Sequence, residues 1–199
     1  MGRAQTKSPS NATMTLYFVQ MSGVPGSGKS TIARALAEAL GAVIVDHDVT
    51  KSALLAARIP EADAGRASYE VLRALSDNLL SQRRSVIFDS PCLYDELLDT
   101  GMETARKYSA AYRYIECEQP DLDALNRRLL ARESKPSQIQ HLDQSFRHAG
   151  SAPVLARDLV VEWANAMKRP SGPYLTIDTR EPLEACVTRA MEYVATGSA

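Results

Sequence analysis

The sequence predicts a three-layer α/β fold, a five-stranded parallel sheet with helices on both faces, and three observations lead there. Short β-branched or apolar runs alternate with stretches whose apolar residues recur every three or four positions. A glycine-rich loop joins the first such run to the first such stretch. Polar residues that can do chemistry, Asp46, Asp48 and Asp89 among them, stand where the runs end, and ligands of parallel α/β sheets bind beyond those ends.

The elements follow in order. Met14 to Ser22 is a strand, the glycine loop follows, and Thr31 to Leu40 is a helix with Ile32, Leu36 and Leu40 on one face, stopped by Gly41. Ala42 to Val45 is a second, buried strand that stops at Asp46-His47-Asp48. Helices are expected over Val49 to Ala57, ending near Pro60, and over Ala67 to Gln82, with Leu72, Leu75 and Leu79 on one face. Val86 to Phe88 is the third strand, and Asp89-Ser90-Pro91 reads as strand end, N-cap and first turn of a helix reaching about Lys107. Ala111 to Cys117 is the fourth strand, and Asp121 to Arg132 is a helix capped by Asp121. Ser134 to Ser151 is polar and aperiodic, as expected of a mobile connection or lid. A helix from about Val154 to Met167, with Trp163 on its core face, turn residues Pro170 to Pro173, a fifth strand Tyr174 to Ile177 and a helix Leu183 to Val194 complete the chain.

Composition narrows the function. The 199 residues are 45% hydrophobic and 24% charged, which suits one domain with a sizeable core, expected over residues 14–199 behind a flexible tail at 1–13. No apolar run reaches the roughly 18 residues of a membrane span, and no signal-peptide core stands at the N-terminus, so the expectation is a soluble cytoplasmic protein in which the sequon Asn11-Ala12-Thr13 is incidental. The three cysteines, Cys92, Cys117 and Cys186, are too few and too scattered for a disulfide framework or zinc site. With 23 Lys plus Arg against 24 Asp plus Glu there is no bulk basic field, and with aromatics at 6% a long nucleic acid is a poor candidate partner.

The loop carries the strongest signal. Gly23-Val24-Pro25-Gly26-Ser27-Gly28-Lys29-Ser30 matches G-x-x-x-x-G-K-[ST] in full, between a strand and a helix. Its glycines let backbone N–H groups turn around phosphate oxygens, and the helix that follows, through Thr31, adds its positive end. Lys29 is expected on the β and γ oxygens, and Ser30 on a Mg²⁺ held between them.

Together with Asp46-x-Asp48, the strand Val86-Ile-Phe-Asp89 and Arg128-Leu-x-x-Arg132, this loop makes the chain resemble the small P-loop kinases around shikimate kinase, gluconate kinase, chloramphenicol phosphotransferase and polynucleotide kinase. The resemblance runs from about Thr15 to Val194, and its stretch Ser85 to Arg132 also looks like P-loop proteins described only as ATP-binding. It implies the P-loop NTPase fold with strand order 2-3-1-4-5, ATP with Mg²⁺ as cofactors, and a lid over about 133–151. It also implies residue roles. Asp46 would lie near the metal and Asp48 would accept a hydrogen bond from the attacking hydroxyl. Arg128 and Arg180 would hold the adenine.

Chemistry gives the remaining assignments. Asp89 ends an apolar strand, where a carboxylate can coordinate Mg²⁺ or steady Ser30 and Lys29; the plain alternative is a turn residue ahead of Ser90-Pro91. Asp46 and Asp48 can equally cap the helix that begins beside them. Arg128 and Arg132, four apart, share a helix face and can bring positive charge to a phosphoryl group; Lys135, Arg147 and His148 are weaker candidates. For the acceptor, His47, Lys51, Tyr69, Arg73, Cys92 and Tyr94 fall on the segments after strands two and three. The reading is a kinase acting on a hydroxyl of a small-molecule acceptor, as a monomer or homodimer. The alternatives are a nucleoside, nucleotide or polynucleotide 5′-hydroxyl kinase, a toxin-like kinase of nucleotide sugars, and an NTP-hydrolysing switch or adaptor with no acceptor.

Overall fold

In the computed structural model, which describes residues 15–146 and 152–198, five parallel strands form one sheet. They are β1 (Tyr17–Ser22), β2 (Val43–Asp46), β3 (Val86–Asp89), β4 (Ala111–Glu118) and, after a two-stranded ribbon of β5 (Ser145–Phe146) with β6 (Val154–Leu155), β7 (Leu175–Asp178). The order β2-β3-β1-β4-β7 is the expected 2-3-1-4-5 with β7 as the fifth sheet strand. The helices are α1 (Lys29–Leu40), α2 (His47–Ala56), α3 (Glu61–Ser81), α4 (Asp95–Lys107), α5 (Leu122–Ala131), α6 (Ala156–Ala166) and α7 (Leu183–Thr196). No helix among the described residues is long and apolar enough to cross a membrane.

Strand side chains alternate between two cores. Val19, Met21, Ile87, Ile115 and Ile177 pack with Ile32 and Leu36 of α1 and Tyr193 and Val194 of α7. Phe18, Val86, Phe88 and Tyr114 pack on the other side with Leu72 and Leu80 of α3 and Leu97 and Leu98 of α4. A third cluster, Val24, Leu125, Leu129, Ile139, Leu142 and Val160, joins the glycine loop to α5, α6 and the segment that follows α5. β2 and β3 are in register so that Asp46 pairs with Asp89, which brings two carboxylates to neighbouring strand ends.

Several boundaries differ from expectation for physical reasons. α2 starts at His47, two residues early, because the Asp46 side chain accepts from Val49 N at 3.0 Å and caps it. α3 starts at Glu61, six residues early. Its buried row is Ala64, Ser68, Leu72, Ser76 and Leu80, so of the expected leucine face only Leu72 lies in it, Leu79 being partly buried and Leu75 exposed; small residues carry the rest of the row, and Glu61 and Asp63 favour the first turn. α4 starts at Asp95 rather than at Ser90-Pro91. The chain there stays irregular to bury Cys92, whose carbonyl accepts from Lys168 N at 2.7 Å. Val154 and Leu155 belong to the ribbon, and α6 begins after them. Trp163 is half-buried at the edge of the third cluster rather than in a core. The expected lid is not plain polar loop: Ile139 and Leu142 are fully buried, and Leu142 N donates to Asn126 Oδ1 at 2.8 Å. Arg147, His148 and the N-terminal tail lie outside the described residues.

Candidate functional site

The glycine loop leaves β1 and enters α1 through three left-handed glycines, Gly23, Gly26 and Gly28. Gly23 admits no other residue: a Cβ there would stand 2.4 Å from the Cys117 carbonyl oxygen. Gly28 (φ 93°) is the N-cap of α1, and with no side-chain cap bonded there the first amides of the helix are left for a ligand. Lys29 opens the helix and is only 8% exposed. Val24, by contrast, turns into the third apolar cluster, and Ser27 is fully buried.

Two cavities open beyond the strand ends. The first, about 500 Å³, is lined by Gly26, Gly28, Lys29, Ser30, Thr31, Asp46, Asp48, Arg128, Arg132, Lys135 and Thr179 among others. The second, about 560 Å³, lies between α2, α3 and the start of α4, and takes Pro25, His47, Lys51, Tyr69, Arg73, Tyr94 and Trp163 into its wall. Lys29, Asp48 and Gln138 border both.

Asp48 is fixed at that border. Gln138 Nε2 donates to its Oδ2 at 2.6 Å, Ser137 Oγ donates to its carbonyl at 3.1 Å, and His47 Nδ1 stands 3.5 Å from its Oδ1. Burial opposes its ionisation but is outweighed by His47, the Lys29 ammonium and the Gln138 amide, which hold the carboxyl well below the usual carboxylate range. The contact with His47 is electrostatic, because at that separation neither ring nitrogen has a hydrogen-bond partner among the described residues. Asp46 caps α2, whereas Asp48 in the first turn faces the cavities. Asp89 is 3% exposed with Oδ1 unpartnered; burial pushes its pKa up, while Lys29 and the Ser30 hydroxyl pull it down.

The arginines divide. Arg128 binds Thr179 twice, to Oγ1 at 2.9 Å and to the carbonyl at 2.6 Å, tying α5 to the loop after β7 at the cavity wall. Arg132 donates through Nη2 to the Ile139 carbonyl at 2.9 Å and keeps a buried, unpartnered Nε. Arg180 is not brought to the cavity: it pairs with Asp178, whose carboxyl it lowers to about 2. Arg73 reaches the second cavity already paired with Glu70 and Glu96, the latter at 2.8 Å. Cys92 does not line it; the thiol is fully buried, accepts from Gln20 Nε2 at 3.2 Å and is pushed up to about 12. Tyr69 packs on the His47 ring at 4.4 Å and edge-on to Tyr94 at 6.1 Å. The sequence reading missed Gln138, Ser137 and Ile139, which sit in an aperiodic segment with no pattern to mark them, and misplaced Trp163.

A family profile described as AAA domain, AAA_33, matches residues 18–149. The chain belongs to the AAA_33 family. No curated protein matches it. Among solved structures, this AAA_33 chain is similar to a gluconokinase from Sinorhizobium meliloti 1021 at 22% identity and TM-score 0.60, covering 93% of this chain and 94% of that one. It is similar to an APS kinase of Mycobacterium tuberculosis, solved with AMPPNP and APS, at 16% identity and TM-score 0.62, with 92% and 99% covered. It is similar also to a shikimate kinase from Acinetobacter baumannii, solved with shikimate, at 17% identity and TM-score 0.54, with 95% and 98% covered. The fold of this AAA_33 chain is therefore that of the small P-loop kinases.

Proposed function

We propose that this chain is an ATP-dependent kinase that moves the γ-phosphoryl group of Mg-ATP to a hydroxyl of a small-molecule acceptor. The observation that carries the reading is the common border of the two cavities: Asp48 and Lys29 belong to both. A transferase needs its donor phosphate and its acceptor hydroxyl to meet at one charged boundary, whereas a hydrolytic switch needs no second cavity behind the base.

The residues take distinct tasks. Backbone amides of the glycine loop and the Lys29 ammonium bind phosphate oxygens. Asp48, kept ionised, accepts the hydrogen bond of the acceptor hydroxyl, orients it toward the γ-phosphorus and takes its proton late. Arg132 has a buried Nε to spend on equatorial oxygens as charge spreads there. Arg128 and Thr179 wall the nucleotide side.

The carboxylates suit Mg²⁺. The unpartnered Asp89 oxygen, Asp46 in register beside it and the Ser30 hydroxyl are hard oxygen donors, and Mg²⁺ is ordinarily held by one or two carboxylates together with substrate phosphates. When bound, the ion neutralises charge on the β and γ oxygens.

The test is a mass-spectrometric and ³¹P NMR screen of the purified protein with Mg-ATP against pooled metabolites, nucleosides and nucleotide sugars. One new phosphoester, lost by about a hundredfold or more in Asp48→Asn, supports the reading. Steady ADP release that needs no acceptor and persists in Asp48→Asn overturns it in favour of a switch.

A further inference from the structure

His47 is a buried group that the proposed transfer leaves idle. Its side chain is only 12% exposed in the wall of the second cavity, and both ring nitrogens are buried without a hydrogen-bond partner among the described residues. Two unbonded buried nitrogens cost stability, and a ring kept for packing alone is better served by phenylalanine. The imidazole is therefore retained for its nitrogens.

Its placement shows their use. Side chains at adjacent helix positions do not ordinarily face each other. His47 and Asp48 are the first two residues of α2, yet His47 Nδ1 stands 3.5 Å from Asp48 Oδ1. The ring is held there from α3. Tyr69 packs on it with ring centroids 4.4 Å apart, lies edge-on to Tyr94, and donates its hydroxyl to the Pro91 carbonyl at 3.4 Å. Pro91 lies two residues beyond the end of β3, so the imidazole is propped from the end of the sheet.

Asp48 is the group that such a prop serves. A carboxylate turns readily about its terminal torsion. Gln138 bonds one oxygen, Oδ2, and leaves that torsion as a hinge; a donor on Oδ1 fixes the plane.

We infer that His47 is a positioning residue for the Asp48 base: its Nδ1–H is directed at Oδ1 and, with Gln138 on Oδ2, sets the plane in which the carboxylate meets the acceptor hydroxyl. The inference rests on the kinase reading and adds a residue to it. No other polar atom among the described residues bonds the ring, so the carboxylate decides the tautomer, with the proton on Nδ1. The 3.5 Å contact shortens to a hydrogen bond once the acceptor is in place, as contacts of this kind commonly do. Each oxygen keeps a lone pair for the hydroxyl.

The experiment separates the two nitrogens. His47→Phe keeps a ring on Tyr69 and removes both, His47→Asn sets an amide nitrogen near the place of Nδ1, and His47→Gln sets one near the place of Nε2. With the acceptor found by the phosphoester screen, His47→Phe lowers kcat about tenfold and leaves both KM values within about threefold. His47→Asn restores most of kcat and His47→Gln does not. His47→Phe melts at or above wild type, because two unbonded buried nitrogens are gone. Independently of turnover, ¹⁵N NMR of the His47 ring, assigned by its loss in His47→Asn, finds the proton on Nδ1 in wild type, and Asp48→Ala abolishes that preference.

A bare Nδ1 in wild type overturns the inference, as does a kcat for His47→Phe within about twofold of wild type. A raised acceptor KM at unchanged kcat also overturns it, because His47 would then touch the acceptor directly. A lower melting temperature in His47→Phe together with no rescue in His47→Asn marks a packing role and overturns it too. Each of these outcomes leaves the kinase reading standing. If wild type phosphorylates nothing, the kinase reading falls, and the ring tautomer alone decides whether His47 holds Asp48.

Discussion

Gln138 donates a 2.6 Å hydrogen bond to the Asp48 carboxylate across 90 residues of chain. The contact ties the segment after α5 to the group that borders both cavities, so a segment that lines the first cavity also sets the geometry of the proposed base. Ser137, bonded to Ser52 Oγ at 2.8 Å and to the Asp48 carbonyl, fastens the same segment to α2.

The first prediction tests that tie. Gln138→Ala removes one charge-assisted hydrogen bond, so kcat for acceptor phosphorylation falls about tenfold. Wild type shows no acid limb from Asp48 above about pH 4, because a carboxyl held below its ordinary value stays ionised there. Gln138→Glu sets a second carboxylate against it. Like charge raises the Asp48 pKa, and an acid limb enters the pH–rate profile between about pH 4 and 6. Profiles of kcat/KM for the three proteins check both statements.

Asp89 makes the opposite electrostatic case. Burial raises its folded pKa, so the folded protein takes up this proton more readily than the unfolded chain. Its contribution to stability is therefore lost as pH rises from the ordinary carboxyl value of about 4 through the raised folded value, and at neutral pH the charged group costs stability. Asp89→Asn should melt about 2 to 4 °C above wild type at pH 7 without ligand, and should lose most of the stabilisation that Mg-ATP gives wild type. Thermal scans with and without Mg-ATP measure both, and a variant that melts lower while responding fully to Mg-ATP would contradict the assignment.

A third prediction concerns the sheet. Glu116 on β4 has a side chain only 4% exposed, bonded by Arg169 at 2.6 and 2.7 Å. Arg169→Met leaves that carboxylate buried and alone, at a cost of about 2 to 3 kcal/mol, which lowers Tm by roughly 4 to 10 °C. Adding Glu116→Gln should recover part of the loss, and denaturant melts of the two single variants and the double one give the coupling.

The sheet and the phosphate loop were legible because their signals are local. A complete eight-residue motif and apolar runs ending in acids need no long-range information, and Asp46, Asp48 and Asp89 do stand at strand ends or beside them. What was illegible depends on packing. The start of α3 is carried by Ala64 and Ser68, too small to register in an apolar period. Gln138 acquires its importance only because Ile139 and Leu142 anchor an otherwise aperiodic segment beneath it. Arg180 and Arg128 stand alike as arginines near the cavity until the fold turns Arg128 onto Thr179 and leaves Arg180 exposed and closed onto Asp178.

That last contrast gives the fourth prediction. Arg128 spends both ends of its fork on Thr179, at 2.9 and 2.6 Å, and lines the nucleotide cavity, while Arg180 is exposed and closed onto Asp178. Arg128→Ala removes the pair of bonds that holds the loop after β7 against α5, and with it one wall of the nucleotide cavity. KM for ATP should rise about tenfold, with the acceptor KM unchanged. Arg128→Lys keeps the charge but cannot reproduce the two-point contact, and should recover less than half of the loss on a logarithmic scale. Arg180→Ala should leave KM for ATP within about twofold of wild type, since an exposed ion pair contributes little. Steady-state kinetics at saturating acceptor decide the matter: an Arg180 variant that weakens ATP as much as an Arg128 variant would mean that ATP draws Arg180 off Asp178 and onto the nucleotide.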